Sequence, residues 1–448
     1  MGRVATIHKQ FFTVGLKGTS ISDNCLKKTH EIFITSIYCR FDGIGQYLNW
    51  NSLTGTSDDD WIDKVNHIWT VLLLVLCSVV ITSGQYIIGQ PIQCWTPAEF
   101  EDPLIGYTNS MCWISDTYYV PIEDEIPDNI SERQDSEMTY YQWVPIILMF
   151  QAFLFKVPNI AWKLLNAHSG IRIDKICLLA DTILLSSPDD RKQNISQMAT
   201  YIHNWIYSQQ NYKHNICANL RHKMSNICCF CIGKRDGTFL TGYYIFIKFL
   251  YCVNVIGQFF LLNEFMAMDY NNFGFEIIQY YLKHGEWQQS PRFPRITLCD
   301  FLIRQLKNNQ RYTIQCVMSL NILNEKIFVF QWFWLFLLAF LTCFNLVSWL
   351  YYVSSQENNF CYVKKNLKMC NEIKSMNDKN LARIFTKYYL RDDGVFVLRI
   401  IEKNSSNMIT TDLILNLWKI FRELRRKSRA VQTITDNTHV ACSNQVSI

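Results

Sequence analysis

The sequence predicts an all-α membrane protein with four transmembrane helices per subunit. Three observations predict it: four long apolar stretches, an uneven placement of Lys and Arg between them, and two pairs of cysteines confined to alternate connecting segments. Crossing a hydrocarbon core takes about 20 consecutive, mostly apolar residues. Residues 65–88, 143–165, 239–262 and 327–353 approach or exceed that length, and the first and fourth contain no Asp, Glu, Lys or Arg. A soluble protein with buried core helices is the alternative, but such helices usually break or turn amphipathic before about 25 uncharged residues accumulate.

Residues 1–64 are polar and charged. A secretory signal would place its apolar run near Met1, so the first span is expected to act as an uncleaved signal anchor. Residues 89–142 contain one basic residue, Arg133, against many acids, among them Glu99, Glu101, Asp102, Glu123, Asp124, Glu125 and Asp128. The second span, 143–165, carries Lys156 and Lys163 toward its end. Residues 166–238 are basic, with Arg172, Lys175, Arg191, Lys192, Arg221, Lys223, Lys234 and Arg235. The third span, 239–262, holds Lys248. Residues 263–326 have mixed charge at about sixty residues, the length where charge bias weakens as a guide. The fourth span, 327–353, leads into a basic tail, 354–448, with a polar, disordered end. Short loops rich in Lys and Arg stay cytoplasmic, so both termini and the middle loop read as cytosolic, and 89–142 and 263–326 as extracellular. The net charge of +5 then reflects attraction to anionic inner-leaflet lipids rather than nucleic acid.

That orientation divides the 17 cysteines. Cys94, Cys112, Cys299 and Cys316 face an oxidising exterior where disulfides persist, and the others face the reducing cytosol or the membrane. Four cysteines allow three pairings, and spacing does not choose among them. Pairing across the two loops would tie the outer ends of all four helices together.

Beside these loops the chain reads Tyr140, Tyr141, Gln142, Trp143, Val144, Pro145. This YYQWVP run resembles the signature of the innexins, the invertebrate gap-junction proteins. PIQCWTP (Pro91 to Pro97), QAFLFKVP (Gln151 to Pro158), VNVIGQFFLLN (Val253 to Asn263), FPRITLCDF (Phe293 to Phe301), QCV (Gln315 to Val317), NEKIFVFQWFW (Asn324 to Trp334) and YYLRDDGVFVLRII (Tyr388 to Ile401) extend it from about Asp58 to Phe421. The resemblance implies four-helix subunits in an octameric ring, as homo- or hetero-oligomers with other innexins. It implies a cytosolic helical dome, clamped extracellular loops with a small sheet, and docking onto a ring of an apposed cell. It pairs Cys94 with Cys316 and Cys112 with Cys299, and it lines much of the pore with the first span and the N-terminal segment. The function implied is passive passage of ions and small molecules between cells at plasma-membrane gap junctions, with no cofactor. An undocked hemichannel releasing metabolites such as ATP, and a non-conducting four-span adhesion or scaffold protein, are the rivals.

Other features receive their own readings. Asn66, Thr70, Cys77 and Gly84 fall near one face of the first span, a small, weakly polar stripe suited to a pore wall or to close helix packing. Pro145 and Pro158 favour kinks in the second span. Lys248 is either a charge or ion-pair member inside the membrane or a side chain that snorkels to the interface, and snorkelling is the reading adopted. His214, Cys217, His222, Cys228, Cys229 and Cys231 fit no familiar zinc spacing. Palmitoylation suits Cys228, Cys229 and Cys231 better, and plain reduced thiols suit them best. Asn129 heads an extracellular glycosylation sequon, whereas those at Asn194 and Asn404 are cytosolic. A glycan on Asn129 would crowd a docking surface, the feature that points toward an undocked channel. Arg422 to Arg429 suit an inner-leaflet contact, and Val446 to Ile448 offer a carboxylate to a PDZ-type domain. No nucleotide-binding loop, nucleophile elbow or metal site stands out, so neither an enzyme nor a metal centre is expected. The stretch up to about Asn51 exceeds the short N-terminal segment usual among innexins.

Overall fold

The computed structural model describes residues 59–445, apart from 88–90, 122, 136, 167–168, 185, 211–236, 267–268 and 286–291. The N-terminal extension, the His214 to Cys231 cluster and the Val446 to Ile448 tail lie outside the described residues. Among the described residues, four helices are long and apolar enough to cross a membrane. The first span is continuous from α1 (Trp61–Lys64) through a π-helical turn (Val65–Trp69) into α2 (Thr70–Ile87). Asp60 starts it by accepting a hydrogen bond from the Trp61 N–H, a group that has no partner within the helix.

The loop after it contributes β1 (Gln93–Cys94), α3 (Asp102–Ile114), β2 (Thr117–Tyr118), α4 (Ile130–Asp135) and β3 (Glu137–Met138). The second span, α5 (Val144–Asn166), begins at the family-like motif, and Pro145 is its second residue. A proline there removes no intrahelical hydrogen bond, so the kink expected at Pro145 is corrected to an ordinary helix start. Pro158 alone sits inside this helix.

Helices α6 (Ile173–Ile183) and α7 (Pro188–Gln210) precede the third span, α8 (Phe239–Met266). That span runs past its apolar stretch to Met266, and the Asn263 side chain in its last turn accepts hydrogen bonds from the Tyr270 and Asn271 N–H groups of the segment that follows. Helix α9 (Phe273–His284) and the hairpin β4 (Ile296–Gln305) and β5 (Asn308–Val317) lead to the fourth span, α10 (Ser319–Ser354). This span starts well before residue 327. Asn321, Asn324 and Glu325 look too polar for a membrane helix, yet all three are buried, with Asn321 donating to the Pro294 carbonyl at 2.9 Å.

The five strands form one antiparallel sheet in the order β1-β5-β4-β2-β3. It is stitched from both loops, with β4–β5 supplied by the second and the rest by the first. After the fourth span come α11 (Gln356–Met369), α12 (Met376–Ile384), a second π-helical turn (Phe385–Leu390), α13 (Arg391–Asn404) and α14 (Asn407–Gln445). With α6 and α7 they form a helical dome. Its core includes Phe385, Ile401, Leu413 and Trp418 and continues into Trp162, Tyr244 and Trp349 of the spans. A second core at the sheet end joins the spans to Cys112, Tyr141, Phe293 and Cys299. Each span therefore has a dome end and a loop end, each anchored by its own apolar cluster.

Candidate functional site: the clamped loops and the charged base of the spans

At the loop end, Cys94 is bonded to Cys316 and Cys112 to Cys299. Cys94 and Cys316 face each other in the β1–β5 register, so the first bridge crosses between neighbouring strands. The second ties α3 to β4. Three of the four residues, Cys112, Cys299 and Cys316, are fully buried. This is the pairing the family resemblance implies.

The motif residues serve the same assembly. The Tyr140 hydroxyl donates to the Arg292 carbonyl of the second loop at 3.1 Å. Tyr141 and Gln142 donate to the Trp113 carbonyl at the end of α3, Gln142 at 2.6 Å. The Pro145 carbonyl accepts from Ser78 of the first span at 3.0 Å. Val144 is buried, whereas Trp143 is exposed. YYQWVP is thus a joint where both loops and two spans meet. Arg133, alone among basic residues in its loop, pairs with Asp300 of β4 at 2.8 Å. Asp300 also accepts from the Tyr118 hydroxyl at 3.1 Å. Burial, then the Asp300 charge, pushes Tyr118 up to about 12, so it donates as a neutral phenol. Asn129, at the sequon, is exposed just ahead of α4.

At the dome end the spans meet in a buried charge network. Lys248 of the third span lies 2.7 Å from Asp63 and 3.3 Å from Asp60 and is 1% exposed. Asp60 also accepts from Trp349 of the fourth span at 3.0 Å and from Lys403 of α13 at 3.1 Å. Tyr244 donates to Asp63 at 3.2 Å. Asp59 lies 2.9 Å from the His67 Nε2, which Asn159 of the second span also approaches at 3.3 Å. Lys156 reaches the His67 carbonyl at 3.4 Å. All four spans and the dome therefore converge on the start of the first span. Burial opposes the Asp60 charge, but Lys248 and Lys403 prevail and hold its carboxyl well below the usual range.

Lys248 does not snorkel. That expectation is corrected, because the acids at the head of the first span come to meet it inside the protein. Sequence reasoning assigned Asp59, Asp60 and Asp63 no role. The available signal was three acids on the flank where basic residues are expected, facing a lysine that would otherwise be an unpaired membrane charge.

The π-helical turn lies within this network and shapes the stripe on the first span. Asn66 is fully buried and donates to the Ile62 carbonyl and to Thr342 of the fourth span at 3.0 Å. Thr70 accepts from Trp334 of the fourth span at 3.0 Å and donates to the Val65 carbonyl. Gly84 faces Leu320 and Leu323, also on the fourth span. Cys77 is half-buried beside the loop-end core. Asn66, Thr70 and Gly84 are therefore turned toward helix packing inside the subunit, and the outward stripe comprises Trp69, Leu72, Leu76, Val79, Val80 and Ser83.

The dome holds one more charged joint. Asp393 of α13 accepts hydrogen bonds from the Thr241 N–H at 2.9 Å and the Thr241 hydroxyl at 2.8 Å. It thereby caps the first turn of the third span from outside the helix. Burial pushes its carboxyl up to about 6. Of the basic cluster, Arg422 pairs with Glu372 inside the dome at 2.9 Å.

The innexin family model matches residues 59–421. Innexin unc-9 of Caenorhabditis elegans is 38% identical over 363 residues, covering 81% of this chain and 92% of its own length. Innexin-19 of the same organism is 33% identical over 396 residues, covering 83% and 86%, and Innexin-3 is 32% identical over 362 residues, covering 81% and 83%. The matched region begins at Asp59, the first acid of the buried charge network, and encloses both cross-loop disulfides. The chain belongs to the innexin family, a multi-pass membrane family whose members assemble with one another as gap-junction channel subunits.

Proposed function

We propose that eight copies of this chain form a ring that docks onto a ring in an apposed cell, with both termini and the dome in the cytosol. Ions and small molecules then pass between the two cells by passive diffusion, without any bond being made or broken. The observation that carries this reading is the sheet built from both cysteine-bearing loops and fixed by two cross-loop disulfides. A docking surface must hold its shape without a large core of its own, and covalent ties between loops give it that. The rim charge of the first loop is acidic, which enriches cations at a pore mouth.

The surface the first span has left for a water-filled pore includes Trp69, Leu72, Leu76, Val79, Val80 and Ser83, since Asn66 and Thr70 are spent on the fourth span. Asn129 is exposed and open to a glycan.

Paired-cell electrical recording tests the proposal. Coupling between two cells expressing the chain is the expected result. Current in single cells without coupling would instead identify an undocked channel, and silence in both a scaffold. Cys94→Ser and Cys316→Ser should each abolish coupling, and normal coupling in either variant would remove the clamp from the mechanism.

A further inference from the structure

A cleft of about 390 Å³ opens in the dome between α11, α12, the second π-helical turn and the start of α13. Arg383, Lys387 and Arg391 bring three cations to it, and the rings of Phe360 and Tyr388 form apolar parts of its wall. The Arg383 guanidinium lies over the Phe360 ring at 4.9 Å, with the Lys364 ammonium 6.0 Å from the same ring. Stacking of this kind holds a cation in place while leaving its hydrogen-bond donors for a ligand.

Two acids also line the cleft. Glu357 pairs with Arg383 at 3.1 Å, but both side chains are well exposed, and such a pair contributes little stability and is readily exchanged. Asp392 is occupied by the Asn359 amide at 3.0 Å, and burial raises its carboxyl above the usual range. The acids therefore offset the cations only in part.

The backbone at the cleft is unusual. Arg391 has φ +57°, a region that costs a residue with a side chain energy and that clusters at ligand clamps. It follows directly on a π-helical turn, a feature enriched at functional sites.

The location narrows the ligand. The fourth span ends at Ser354, and α11, which supplies Gln356 and Glu357 to the cleft, begins immediately afterwards. Exposed Tyr351 and Tyr352 sit just before that boundary, as aromatic side chains do at the level of lipid headgroups. A basic cleft opening there, on the leaflet where anionic lipids concentrate, is placed for a phosphorylated headgroup.

We propose that this cleft binds a phosphate monoester, supplied by the headgroup of an inner-leaflet lipid, with Arg383 leaving Glu357 to engage the phosphate alongside Lys387. The leaflet assignment rests on the cytosolic orientation proposed above, whereas the binding itself does not. Neither depends on docking or conduction.

The test uses the full-length protein in detergent and a fluorescent dioctanoyl phosphatidylinositol bisphosphate as probe. Anisotropy should show saturable binding, weakened about tenfold or more in Arg383→Gln/Lys387→Gln, as expected when charge-assisted contacts are lost. Arg172→Gln, at an exposed pair elsewhere in the dome, should bind as the unaltered protein does. Lys387→Gln alone gives an intermediate loss, and an unchanged oligomer profile on size exclusion shows that the variants remain folded. Inositol trisphosphate competing as well as unlabelled lipid supports the site with a soluble phosphate ester as its ligand. Stronger competition by unlabelled lipid than by inositol trisphosphate supports a membrane lipid as the source of the phosphate. Equal binding by the double variant, or equal competition by dioctanoyl phosphatidylserine, would overturn the proposal.

Discussion

Lys248 carries a full charge into the packed base of four helices, and its cost is met by Asp63 and Asp60 at 2.7 and 3.3 Å. A buried ion pair adds little net stability over an apolar pair of similar volume, but removing one partner leaves a stranded charge. Lys248→Met should destabilise the subunit by about 3–5 kcal/mol, seen as a lower melting temperature of the purified protein. Adding Asp63→Leu should recover part of that loss, and a double variant no more stable than the single would refute the pairing. Asp393 makes a pH prediction. Its carboxyl is raised from an ordinary 3.8 to about 6 by burial, so the folded state binds a proton more readily than the unfolded one. Stability from this group is therefore greatest at low pH and is lost as pH rises through about 6. Between pH 7 and pH 5 the dome should gain about 1 kcal/mol, and Asp393→Asn should abolish that gain in denaturant titrations at the two pH values.

The elements meet where residues of opposite tendency are forced together. Helix α9 packs on the fourth span through Gly274, where any Cβ would run into the Trp332 ring, and Trp332 is itself buried. Gly274→Val should cost several kcal/mol, of the order found for overpacked cores, and should lower the yield of assembled protein measured by size exclusion. An unaffected yield would show that α9 moves freely. The YYQWVP joint behaves differently, because Tyr140 gives its hydroxyl to a loop carbonyl at 3.1 Å. Tyr140→Phe removes this one part-buried hydrogen bond, a loss of about 1 kcal/mol that a thermal shift measurement resolves. The spans themselves were legible in the sequence because length and hydropathy are summed along the chain. Their ends were not. Asn321, Asn324 and Glu325 extend the fourth span at the loop end, since burial against the second loop, and not lipid, surrounds them.

For the whole molecule, the first span faces two environments, and the structure separates them. Its Asn66 and Thr70 side chains are bonded to the fourth span, while Ser83 is exposed with Leu72, Leu76 and Val79. In a conducting assembly, Ser83→Cys should become sensitive to a charged thiol reagent, with current falling on application, and Asn66→Cys should stay insensitive. Block at Asn66→Cys without block at Ser83→Cys would reverse the assignment. The sequence by itself determined the four membrane spans, the two cysteine-bearing loops and the family, because these depend on composition, order and local motifs that no partner element alters. It also offered Lys248 and the stripe on the first span, but with more than one reading for each. Only the tertiary structure decided those. Whether a buried charge is paired, and whether a polar face meets water or another helix, depends on residues far apart in the chain. Asp63 and Lys248, or Asn66 and Thr342, become neighbours only when the spans pack.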